Sequence, residues 1–145
     1  MTFAGMNILA ILVATVVAWF AGALWYMTLS KQWVAALGKT MEQFKAEQAD
    51  NVGKPRGMIP FFLSFVAELV MAWVVAGTLG HLGPGQVTLR NGIITGLFLW
   101  AGFVITTMVV NNAFAGRKPM LTVIDGGHWL AVLLIMGAII GAMGV

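Results

Sequence analysis

No cysteine occurs among the 145 residues. Its absence excludes thiol catalysis, disulfide staples, palmitoylation and thiolate metal sites. Charge is almost as scarce: charged residues make up 9% of the chain, against about a quarter in a soluble domain. So few charged side chains cannot cover the surface of a soluble fold of this size, which excludes a soluble enzyme. Disorder is excluded as well, because it needs low hydrophobicity and 60% of these residues are hydrophobic. No run of five basic residues exists either, so the net charge of +3 does not point to a nucleic-acid partner.

What is present is a set of long apolar runs. A membrane-spanning helix needs about 20 mostly apolar residues, and four stretches meet that length, roughly 6–29, 58–80, 89–112 and 120–143. The first lacks the basic start and short apolar core of a signal peptide, so it reads as a retained span. The expected fold class is an all-α integral membrane protein, one domain of four helices in an up-down bundle, with the lipid bilayer as its first partner. Lys31, Lys39, Lys45, Lys54 and Arg56 lie in the first connection, Arg117 and Lys118 in the third, and Arg90 alone in the second. Basic residues gather on the cytoplasmic side. That places the first and third connections inside and both termini outside.

The first connection carries its own pattern. Trp33, Leu37, Met41 and Phe44 recur at helical spacing, which predicts a cytoplasmic amphipathic connector over residues 31–49. Its apolar stripe suits either the membrane surface or the ends of the protein's own helices. Gly38 is placed to end one short helix. Thr40 and Gln43 have capping-box spacing for the next. Trp25, Tyr26 and Trp33 cluster where an interfacial aromatic belt would lie.

Small residues mark expected helix contacts: Ala14, Ala18 and Gly22 in the first span, Gly92 and Gly96 in the third, Gly137 and Gly141 in the fourth. Close approach of membrane helices depends on such pairs. They serve packing within one chain or within a homo-oligomer.

Few groups remain for chemistry. Glu68 lies near the middle of the second span, where a carboxylate costs ~2.5 kcal/mol or more. A carboxyl that changes protonation there is the usual element of proton coupling; the plainer role is a hydrogen bond that only serves packing. Ser64, one turn earlier, is spaced to bond it. Asp125 and His128 share a face of the fourth span and form a second candidate site, in which Asp fixes the His tautomer and a relay results. The plainer roles are a helix cap for Asp125 and a single hydrogen bond for His128. Gly126 and Gly127 leave the backbone between them open to a neighbour. Asn111 completes the candidate proton or substrate groups, four residues after Thr107. One Glu, one Asp and one His make a metal set only if they converge, so neither a metal nor a cofactor is expected. No phosphate loop, dinucleotide fingerprint, nucleophile elbow or zincin motif occurs.

Longer patterns resemble a known family. Gly22-Ala23-Leu24-Trp25-Tyr26, Lys31-Gln32-Trp33 and Ala36-Leu37-Gly38 are similar to the first hairpin of the bacterial membrane family called domain of unknown function 1761. Asn111 or Asn112 before Ala115-Gly116-Arg117, then Ile124-Asp125-Gly126-Gly127-His128 and Ile135-Met136-Gly137-Ala138-Ile139, extend the resemblance over nearly the whole chain. The family often has Pro soon after the Trp-Tyr pair, where Met27 to Ser30 stand here. It also tends to show Tyr-His where this chain has His128-Trp129. The resemblance implies four spans and a bacterial cytoplasmic membrane, and brings no activity with it. Two functions fit the residues. One is a transporter or channel subunit for a small molecule or ion, with Glu68 as its protonatable site. The other is a non-catalytic protein that binds lipid or a partner through its small-residue faces. A membrane enzyme is the weaker expectation, since it needs Asp125 and His128 to converge with Glu68.

Overall fold

The computed structural model describes residues 6–145. All regular structure among them is helical: α1 (Ile8–Thr28), α2 (Ser30–Ala36), α3 (Met41–Asn51), α4 (Pro55–Gly80), α5 (Leu89–Leu99), α6 (Ile105–Phe114) and α7 (Pro119–Met143). A single π turn, Trp100–Val104, joins α5 to α6 and makes them one long helix. Four helices are therefore long and apolar enough to cross a membrane: Ile8–Thr28, Pro55–Gly80, Leu89–Phe114 and Pro119–Met143. They match the four predicted spans to within three residues. The second starts earlier than expected because Pro55 opens α4, a position where its fixed φ and missing N–H are harmless.

The side chains sort as a lipid-embedded protein requires. Phe62, Phe98 and Phe103 are 68%, 72% and 72% exposed, and with many other bared apolar residues they form far more apolar surface than a soluble monomer carries. The interior is built from small and branched residues: Ala10, Ala14 and Ala18 from α1, Ala72, Val75 and Leu79 from α4, and Val132, Met136 and Ile140 from α7. Alanine at every fourth position of α1 lets α4 and α7 approach closely.

The glycine pairs fix how α5 meets α7. A Cβ on Gly92 would strike the carbonyl oxygen of Gly137, one on Gly96 that of Leu133, and one on Gly141 that of Thr88. The two backbones touch, and the pairing runs antiparallel. Packing within the chain thus occupies Gly92, Gly96, Gly137 and Gly141. α1 is antiparallel to α7 as well: the Asn7 side-chain amide donates to Met143 O at 3.1 Å, while Tyr26 meets Asp125 at the other end. Likewise Met6 packs at Gly77 and Trp19 at Ser64, so α1 and α4 are antiparallel. α7 touches every other long helix.

The connector is two helices with a break between them. Gly38 takes φ +79° after α2, and Thr40 and Gln43 form a reciprocal capping box at the start of α3. α2 lies on the assembly's own end. Ala36 is buried with Leu121 and Ile124, and Trp33 and Leu37 pack against them. Phe44 on α3 meets the Trp33 ring edge-on at 5.7 Å between centroids. Of the two surfaces open to the stripe, the helix ends take Trp33 and Leu37.

Candidate functional site

Apart from Thr95 on α5, the polar interior falls into two places, and the fold keeps them apart. The first surrounds the start of α7. Asp125 projects from its second turn toward α1 and α2. Tyr26 donates its hydroxyl to Asp125 Oδ1 at 2.9 Å, and Trp33 donates its indole N–H to the same oxygen at 3.1 Å. Two further indoles reach the α7 backbone beside it. Trp25 donates to Ile124 O at 3.1 Å, and Trp100 donates to Gly126 O at 2.8 Å. The paired glycines make this possible. A Cβ on Gly127 would press on the Trp25 ring, at 2.8 Å from Cζ2, and one on Gly126 would press on Ile105, at 2.6 Å from Cδ1. The opening expected at Gly126 and Gly127 is filled by this chain's own side chains.

His128 sits one turn deeper. It is buried between the rings of Tyr26, 4.9 Å away, and Trp129, 4.7 Å away. Its Nδ1 has no hydrogen-bond partner among the described residues. The ring occupies the space left by Gly22, whose Cβ would lie 2.6 Å from His128 Nε2. The expected Asp125–His128 pair is not formed. Asp125 points outward to Tyr26 and Trp33, and His128 inward to Gly22. Nor does Asp125 cap α7, because helix formation begins at Pro119, six residues earlier.

Glu68 is the second place. It is 2% exposed, on the stripe of α4 that also buries Ala72, Val75 and Leu79. Its Oε2 has no hydrogen-bond partner among the described residues. Ser64 does not bond it, contrary to the spacing argument. The Ser64 hydroxyl donates to Phe61 O at 2.8 Å and accepts the Trp19 indole at 3.0 Å. The pairings of α1 with its neighbours set Glu68 level with Thr15 and His128 level with Gly22. Seven residues of helix separate those levels, about 10 Å at 1.5 Å per residue. Thr15 is itself buried and donates to Ile11 O at 2.8 Å.

Asn111 lies elsewhere, exposed on α6. Its neighbour Asn112 is the one that bonds across helices, donating to Thr122 Oγ1 at 2.9 Å. Thr106 and Thr107 donate back to Gly102 O and Phe103 O. Those carbonyls belong to the π turn, and Thr15, Thr28 and Thr78 make the same bond to the carbonyl four residues earlier on regular helix. Among the described residues, no three acidic, His or Cys side chains gather as a metal set would require.

Sequence reasoning assigned Trp25, Tyr26 and Trp33 to an interfacial belt and left Trp100 unplaced. All four donate to α7 or to Asp125. The available signal was Asp125-Gly126-Gly127 itself: a carboxylate beside two residues without side chains exposes acceptors that long indoles can reach.

A family model for proteins of unknown function, DUF1761, matches residues 9–141, and the chain belongs to that family. No curated protein and no solved structure matches it.

Proposed function

We propose that this DUF1761 member is a small transporter or channel subunit of the cytoplasmic membrane, in which Glu68 carries a proton. The observation behind this reading is the Glu68 carboxyl, 2% exposed with Oε2 unpartnered. Buried side-chain oxygens are nearly always bonded, and a carboxyl at mid-membrane marks function by default. Buried His128, with Nδ1 also unpartnered, and half-buried Asp125 extend titratable groups from Glu68 toward the connector end.

The four spans form an up-down bundle whose centre is filled by apolar side chains. A solute path therefore runs between copies of the chain, and the working unit is a homo-oligomer. The connector faces the cytoplasm and both termini face outside, following the basic residues. The bacterial setting follows from the resemblance of the motifs. The second reading, a non-catalytic protein that binds lipid or a partner, draws on the same closed core, which offers no aqueous route within one copy.

Infrared difference spectra of protein in vesicles, between about pH 5 and pH 9, test the proton site. A carboxyl band that changes over this range and disappears in Glu68→Gln is expected. The Gln variant keeps the shape and stays folded. A Glu68 band that stays constant across the range overturns the proton-site reading and leaves the lipid-or-partner reading.

A further inference from the structure

An open groove of about 690 Å³ runs between the end of α4 and the length of α5. It lies within the volume range of ligand sites, about 300–1,000 Å³. Ile94, Phe98, Leu99 and Phe103 make its walls apolar, and Gln86 and Asn91 stand at one end. From Asn91 to Phe103 is twelve residues, about 18 Å of helix. That is close to one leaflet's share, about 15 Å, of the bilayer's hydrocarbon thickness.

Two polar groups in or beside this groove have no protein partner. Thr95 lines it, is 7% exposed, and makes no side-chain hydrogen bond among the described residues. Thr15, Thr28, Thr78, Thr106 and Thr107, by contrast, each donate to a carbonyl of their own helix. Arg90, next to Asn91, is exposed and forms no ion pair among the described residues, whose salt bridges all lie in or beside α3. No other Lys, Arg, Asp or Glu occurs between Glu68 and Arg117. The groove thus has an exposed cation one residue along the chain from its lining residue Asn91, an Asn91 amide that donates to Gln86 O at 2.7 Å, a free hydroxyl one turn in, and an apolar trough beyond.

We propose that this groove is a binding site for one acyl chain of an anionic phospholipid. The phosphate lies at Arg90, beside the Gln86–Asn91 pair, the ester carbonyl accepts from the Thr95 hydroxyl, and the chain runs along Ile94, Phe98 and Phe103. Asn91 to Thr95 spans about 6 Å of helix, the order of separation between a phosphate and the first ester. Gly102 forms part of the floor, and a Cβ there meets nothing within 4 Å. The trough can therefore be filled by substitution without a clash.

Native mass spectrometry of protein released from vesicles of equal phosphatidylglycerol and phosphatidylcholine tests the site. The wild type retains one phosphatidylglycerol per chain in preference to phosphatidylcholine. Arg90→Gln lowers that preference about fivefold, as one basic residue near an anionic head group implies. Gly102→Phe removes the retained lipid while circular dichroism and melting show the helices intact. Thr95→Val, which keeps the volume, shortens retention. Equal retention of the two lipids by the wild type overturns the proposal, as does undiminished phosphatidylglycerol on folded Gly102→Phe.

Discussion

At the scale of single residues, the interior depends on what glycine omits. Gly22 was legible as a small-residue contact, and the structure specifies its neighbour: the His128 ring fills the space where a Cβ would stand. Adding that one carbon forces the ring out of its place between Tyr26 and Trp129, or forces α1 away from α7. Overpacking of this kind costs roughly 1–3 kcal/mol. Gly22→Ala should therefore lower the unfolding midpoint in detergent, and adding His128→Ala should recover part of the loss. Equal losses in the single and the double variant would show that the two residues do not share this space. Glu68 was legible for a different reason, as an isolated charge in an apolar run. The sequence did not reveal the partners of Ser64. Helical spacing shows which residues share a face, but not which acceptor a hydroxyl chooses once an indole from another helix arrives.

Among the elements, α2 shows best how much a pattern conveys. The stripe Trp33, Leu37, Met41 and Phe44 and the cap at Thr40 could be read directly, because helical periodicity and capping are local. The surface that receives the stripe is not local, so the sequence left it open. Among the contacts that hold α2 are the Trp33 indole on Asp125, the Lys118 ammonium on Ala35 O at 2.9 Å, and Ala36 against Leu121 and Ile124. Replacing Asp125 by Leu leaves the Tyr26 and Trp33 donors without an acceptor, a cost of about 1–3 kcal/mol for each such group if it stays buried. Release of α2 is the easier outcome. Amide exchange across residues 30–36 should quicken in Asp125→Leu and change little in Asp125→Asn, which keeps an oxygen acceptor. Exchange in the middle of α1 should stay slow in both. Equal protection of α2 in the wild type and the Leu variant would show that Asp125 does not hold it. The π turn at Trp100–Val104 had no sequence signal of its own. Its composition is that of any apolar span, and only the backbone shows it, in the Ile105 N–H donated to Trp100 O five residues earlier.

Over the whole molecule, charge divides the protein into two ends. Asn7, the turn after Gly80, and Met143 share one end, as the Asn7–Met143 bond and the contact of Val145 with Gly80 require. α2, α3 and the Arg117-Lys118 pair share the other. Acidic partners neutralise part of the basic charge there: Lys39 meets Glu47, and Lys54 and Arg56 meet Asp50. Orientation follows Lys and Arg with little weight for Asp and Glu, so these pairs do not change the expected sidedness, and Arg90 alone opposes it. The absence of cysteine makes the test direct, since any thiol introduced reports only its own position. Gln48 and Pro84 are both exposed and lie at opposite ends. In intact cells an impermeant maleimide should label Pro84→Cys at once and label Gln48→Cys only after the membrane is opened. The reverse pattern would put α2, α3 and Asp125 on the outer side. In either orientation Glu68, level with Thr15 on α1, would stay about 10 Å of helix from the level of His128 and Gly22, so the reversal would change which side the Asp125 cluster lies nearest without joining it to Glu68.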